Sequence, residues 1–124
     1  MTEATRALYQ FYTGFELPVY VEGYVPDTAE LPYITFDSVD SGLSRQASHH
    51  VRVWYPGMEN SLPAEKADEI AAAIGDGVRL ITEHGLVVIY PDTPLIQIQA
   101  VDSEADRHIC YAYINLATMT YIKE

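Results

Sequence analysis

Cations, cysteine and long apolar runs are scarce in this chain, and each shortage closes off a class of function. Lysine and arginine number 7 against 18 aspartates and glutamates, a formal charge of −11. Proteins that grip phosphate backbones neutralise them with clustered Lys and Arg. Here the lysines are Lys66 and Lys123, and the five arginines are scattered, so no gripping patch exists, although an acidic surface suits a protein that nucleic acid must pass without sticking. The single cysteine, Cys110, excludes an internal disulfide framework. No apolar stretch approaches the roughly 18 residues that span a bilayer. Met1–Arg6 lacks the basic start and apolar run of a signal peptide, which reads as residence in a reducing cytoplasm.

Recognisable catalytic signatures are missing too. Gly75-Asp76-Gly77 lacks the lysine and the strand–turn–helix context of a phosphate loop, and there is no G-x-S-x-G elbow. Cys110 lies in an apolar strand and reads as a small buried hydrophobe. His49 and His50 are adjacent on a strand, so they point to opposite faces and do not share a metal; one is expected in the core and one outside. Asp102, Glu104 and Asp106 match the first, third and fifth positions of a calcium loop. Arg107 stands where glycine is needed and Tyr113 where glutamate is needed, so the stretch reads as a solvated hairpin tip. The expectation is a non-enzymatic protein with no cofactor and no metal.

What is present is a well-patterned single domain spanning 1–124. Hydrophobic residues make up 48% and charged residues 20%, enough apolar material for a core and too little charge for disorder. The acids are dispersed, and no linker, repeat or low-complexity tract divides the chain. Leu8, Phe11, Tyr12 and Phe15 recur at helical spacing and predict a helix over Thr2–Gly14, capped by Thr2 or Thr5. Val19–Val21 reads as a short extended piece. Tyr33–Val39 and Ala47–Tyr55 read as strands joined by a loop at Asp40–Ser44. Ser61, Pro63 and Glu65 mark the cap, early proline and acidic first turn of a helix with Ala67, Ile70, Ala71 and Ile74 on its apolar stripe and Gly75 as its stop. Four further strands are predicted at Val78–Thr82, Leu86–Tyr90, Leu95–Val101 and His108–Tyr121. The element order favours an α+β domain, a mostly antiparallel sheet of about six strands with two helices packed on one face.

The last strand carries the strongest functional signal. Cys110, Ala112, Ile114 and Leu116 fall on one face and Tyr111, Tyr113, Met119 and Tyr121 on the other, with no charged residue from Ile109 to Ile122. A sheet with one wet face should alternate apolar with charged residues. Two helices are too few to cover both faces of six strands, so partial coverage by a neighbouring subunit is expected. Tyrosine accounts for ten of the residues; most should line the core edge with hydroxyls in water, while Tyr111, Tyr113, Met119 and Tyr121 are the candidate subunit interface.

The stretches Leu8-Tyr9-Gln10-Phe11-Tyr12, Leu17-Pro18-Val19-Tyr20, Val25-Pro26-Asp27 and Leu31-Pro32-Tyr33-Ile34-Thr35 resemble the N-terminal half of small tail-terminator (minor structural) proteins of long-tailed bacteriophages. The strand at Arg52-Val53-Trp54-Tyr55, the helix over 64–75, the hairpin and the long last strand continue the resemblance over nearly the whole chain. It implies an α+β subunit of a ring, usually a hexamer, on the head-proximal end of the tail tube. Such a ring ends tube polymerisation and presents the joining surface for the head connector or stopper. The implied partners are further copies of the chain, the tail tube protein and the connector, with DNA passing through unbound and no membrane; the implied location is the virion, with the host cytoplasm during assembly. Asp37, Asp40, Asp102, Glu104 and Asp106 are then the candidate acidic loop residues facing the lumen or the tube. A head–tail connector or tail-assembly protein of the same neck region is the alternative within this class. An acidic DNA mimic that inhibits a DNA-binding enzyme is the alternative outside it.

Overall fold

The computed structural model describes the backbone of residues 1–39, 43–57, 59–102 and 108–122, and the side chains of these except 43–45, 98–102 and 108. Helix α1 (Glu3–Tyr12) and a 3₁₀ turn (Thr13–Phe15) come first, followed by β1 (Val19–Val21), β2 (Tyr33–Phe36) and β3 (Leu43–Pro56). Helix α2 (Ser61–Ile74) leads to β4 (Val78–Thr82), β5 (Gly85–Asp102) and β6 (His108–Ile122). One sheet holds all six strands in the order β1-β2-β3-β6-β5-β4, antiparallel except for the parallel β1–β2 pair. The expected α+β architecture is therefore present, with the sheet curled: α1 contacts both β1 and β4, the strands at its opposite edges.

Long β3 and β6 form the middle of the sheet, and their inner faces are largely apolar, with His49, Thr118 and Thr120 as the buried polar residues among them. Val51 and Val53 lie opposite Ile114 and Ala112, and all four are fully buried. Ile34 and Phe36 extend this face on β2, and Val87 and Ile89 extend it on β5. Leu8 and Tyr12 of α1 and Ala67, Ile70 and Ile74 of α2 complete the core from one side. Burial of each large aliphatic side chain contributes about 2 kcal/mol of transfer free energy. Small Ala67 lets α2 approach the sheet closely, as its stripe predicts.

Several boundaries differ from the sequence reading. The predicted strands 86–90 and 95–101 are a single strand, β5, with a register shift between Pro91 and Ile96. The total stays at six because Val19–Val21 pairs with β2, so three strands precede α2 and three follow it. Strand β2 stops at Phe36, and Val39 is captured by α1 instead. The Thr2 hydroxyl donates to the Val39 carbonyl at 2.6 Å, and the Thr5 hydroxyl donates to that carbonyl at 3.0 Å while accepting the Val39 N–H at 2.9 Å. Thr2 also caps α1 by accepting the Thr5 N–H at 3.1 Å. Helix α2 starts one residue earlier than predicted. Asn60 is its cap position without a side-chain cap bond, and the Ser61 hydroxyl donates to Glu59 at 3.1 Å. Gly75 (φ 58°) ends α2 as expected, its N–H donating to the Ala71 carbonyl at 2.9 Å.

Two long-range contacts fix the helices. The Lys66 ammonium donates to the Phe15 carbonyl at 2.9 Å and pairs with Glu69 at 2.7 Å, tying α2 to the end of the 3₁₀ turn. Glu3 at the start of α1 accepts the His84 N–H at 2.9 Å and pairs with its ring at 2.7 Å, 81 positions along the chain. The nearby Thr82 hydroxyl and then the His84 ring and backbone lower the Glu3 carboxyl to about 2, and Glu3 in turn raises the His84 imidazole. Among the described residues no helix is long and apolar enough to cross a membrane.

The turn between β4 and β5 leaves no room for a side chain at its last position. A Cβ on Gly85 would collide with the backbone carbonyl of Tyr121 on β6. Gly85→Ala therefore has to displace a central strand, and should destabilise the protein by roughly 1–3 kcal/mol, read as a lower urea midpoint at unchanged m value.

Candidate functional site

The helices cover one face of the sheet, and the described residues supply nothing comparable for the other. Period-two alternation places Tyr111, Tyr113, Met119 and Tyr121 together on this uncovered face, as their spacing on β6 predicts. The face divides into two halves of different character.

The half over β1, β2, β3 and the start of β6 is packed against itself. Tyr20 meets Tyr33 edge-on at 5.5 Å, Tyr33 lies 6.5 Å from Trp54, and Trp54 lies 4.6 Å from Tyr111 (ring centroids). The Trp54 indole N–H donates to the Thr35 hydroxyl at 3.0 Å. One step along the strands, the Arg52 guanidinium sits 4.6 Å over the Tyr113 ring and 3.5 Å from Glu22, and the His50 ring stacks on Tyr113 at 5.0 Å. Each cross-strand aromatic or cation–π pair adds about 0.5–1 kcal/mol beyond burial. Tyr111 and Tyr113 thus already have partners in their own sheet.

The half over the end of β6, β5 and β4 is different. Met119 pairs with Val88, and Tyr121 pairs with Leu86, which pairs in turn with Ile81. Ile81 is 78% exposed and Tyr121 40%, the large apolar side chains most exposed on a strand among the described residues. The sequence reading found Met119 and Tyr121 but missed Ile81, Leu86 and Val88. The alternation of Arg79, Leu80 and Ile81 carried the signal, since it puts Ile81 on the face of Arg79, away from the core.

The predicted acidic loop residues are placed unevenly. Asp37 does not project as a free loop carboxylate: it accepts the His50 N–H at 3.0 Å and pairs with the His50 ring at 2.9 Å. Asp40, Glu104 and Asp106 lie outside the described residues. Asp102 ends β5 opposite His108, and its side chain is not described. The two histidines separate as expected: His50 is half-buried on the outer face and His49 is fully buried. The His49 Nε2 bonds the Tyr12 hydroxyl at 2.9 Å, and that phenol is pushed well up by burial and then by Asp37. Cys110 is buried, with its sulfur toward the Glu59 carbonyl at 3.6 Å and its thiol raised by burial; a raised thiol is a poor nucleophile. Glu3, Glu83 and His84 bring ligand-type atoms within 4.8 Å of one another, but the Glu3–His84 ion pair accounts for this grouping and nothing else there points to an ion.

No known protein-family profile matches the chain, and no curated protein sequence matches it. A solved structure carrying only a sequence label matches 96% of this chain and 94% of its own, with a TM-score of 0.52 at 19% identity. At that identity the likeness concerns the fold alone.

His49 supplies a pH test of the core. Burial lowers its imidazole to about 4, opposed by Asp37 and assisted by His50, while the unfolded value is about 6.5. Below about pH 6.5 the unfolded chain takes up a proton that native His49 refuses, so stability contributed by this site falls between about pH 6.5 and 4. The loss approaches ~3 kcal/mol and saturates below the native value. Denaturant titrations of wild type and His49→Gln over this range should show the wild type alone losing this increment.

Proposed function

We propose that the chain is a structural protein of the phage neck that caps the head-proximal end of a tail tube as a ring. The observation carrying this reading is the uncovered strip of Ile81, Leu86, Val88, Met119 and Tyr121 on a chain of net charge −11. An exposed apolar patch on an otherwise acidic surface marks a protein contact. Its position on one side of the sheet suits a heterologous contact, in which one copy's strip meets a different surface of the next and the rotation closes a ring. The resemblance of Leu8–Tyr12, Leu17–Tyr20 and Leu31–Thr35 to tail terminators supplies the biological setting. A net acidic subunit suits a ring that DNA traverses without adhering. The virion is the expected location, with the tube protein and the head connector as neighbours.

Electron microscopy of the purified protein, alone and mixed with tail tubes, tests the reading. Six-fold rings or caps at one tube end are the expected result, and dispersed protein with bare tube ends would overturn it. The double substitution Ile81→Lys and Tyr121→Lys should abolish rings or caps while circular dichroism and melting stay close to wild type. Charge reversal of Asp102, Glu104 and Asp106 to lysine should impair tail joining or genome passage; normal infectivity would remove these residues from the lumen.

A further inference from the structure

Strand β1 ends the sheet on one side, and its free edge faces a groove. The Ile34 N–H donates to the Pro18 carbonyl and the Glu22 N–H to the Phe36 carbonyl, each at 2.8 Å. With Val19 opposite Ile34 and Val21 opposite Phe36, parallel alternation turns the backbone groups of 18, 20 and 22 toward β2 and those of Val19 and Val21 away from it. The Val21 carbonyl accepts the Tyr24 N–H at 2.9 Å across the turn at Gly23. The Val19 N–H, the Val19 carbonyl and the Val21 N–H remain on the outer edge at strand spacing. Beside them a groove of about 640 Å³ separates β1 from α1, walled by Val19 and Val21 on the strand, Thr5 and Tyr9 on the helix, and Tyr24 and Met1 at the rim. No charged side chain lines it. Tyr24 is 79% exposed and Met1 71%, so the apolar rim stands open.

We propose that this groove takes an extended segment of another protein as a strand added beside β1. The three edge groups call for a backbone, since only another strand presents donors and acceptors at matching intervals. The helix wall facing the edge supplies apolar contact for every second side chain of that segment. The charge of the chain sets the flanks. No charged side chain lines the groove, and the whole chain carries −11. An acidic segment is repelled, and one with lysine or arginine beside its apolar stretch is favoured. A second copy of the chain would bring a further −11 and is disfavoured as occupant on the same ground. This assignment does not rest on the ring reading: the groove lies at β1 and α1, away from the strip on β4, β5 and β6.

Selection from a random decapeptide display library against the full-length protein tests the proposal. Enriched peptides should alternate Val, Ile, Tyr or Phe with polar residues and carry Lys or Arg at a flank. A synthetic capped copy of the best peptide, titrated into ¹⁵N-labelled protein, should shift the amides of Val19–Tyr24 and of Thr5 and Tyr9. Val21→Pro removes the outward N–H and leaves the bonds to β2 intact, a change an edge strand tolerates. It should weaken the peptide about tenfold, the effect of one lost hydrogen bond. Tyr24→Ser, at a side chain 79% exposed, removes the apolar rim without adding charge; it should weaken the peptide similarly without altering melting, and guards against misfolding of the proline variant. No enrichment, equal binding by Tyr24→Ser, or shifts centred on Ile81 and Tyr121 would each overturn the proposal, as would self-association in sedimentation in place of peptide binding.

Discussion

A six-stranded sheet has two faces, and among the described residues the helices cover only one of them. The rest of the structure follows from that shortage. Helices α1 and α2 must share a single apolar face, so the sheet curls until α1 touches both of its edges. The opposite face keeps its side chains out of water over one half alone. Over β1 to β3 and the start of β6 it packs rings on rings and a guanidinium on Tyr113. Over β4 and β5 nothing among the described residues does this, and Ile81 is left in solvent.

The core beneath α1 is not wholly apolar, and its polar contacts set the position of the helix. Tyr12 and His49 bond each other where neither meets water, and each would be costly to bury alone. The Thr2, Thr5 and Val39 bonds fix the chain that leaves β2, and Glu3 fixes the β4–β5 turn. Together these contacts hold α1 at its start and its end. The groove beside β1 inherits its shape from them, because Thr5 and Tyr9 on its helix wall lie between the anchored residues.

How much of this was legible in the sequence depended on whether the signal was local. The two faces of β6, the opposite senses of His49 and His50, the Thr2 cap and the Gly75 stop all follow from spacing along a few residues, and each matches the structure. The break predicted at residues 91–94 does not, for a physical reason. Strand β4 covers β5 only from Gly85 to Ile89, and the β5–β6 register shifts between Pro91 and Ile96, so the prolines fall at an edge and a ladder irregularity, where a missing N–H is tolerated and the strand continues. The parallel pairing of β1, the bond from Glu3 to His84 and the engagement of Asp37 by His50 join distant stretches, and no periodicity announces them. Ile81 lay between these cases: the alternation placed it on the outer face, but only the pairing with Leu86 and Tyr121 made it part of a strip.

Charge then limits what kind of contact the uncovered face can make. Among the described residues Arg52 pairs with Glu22 and Lys66 with Glu69. Two copies approaching each other each carry −11, and their repulsion acts over about 8–10 Å in physiological salt. Attraction between copies therefore has to come from apolar area at short range. Ile81, Leu86, Val88, Met119 and Tyr121 supply such area, with Arg79 beside Val88 as the nearby cation among the described residues. The acidic surface discourages unspecific association and nucleic-acid adhesion, and it leaves the uncharged strip as the place where a like-charged neighbour can approach without facing opposed carboxylates.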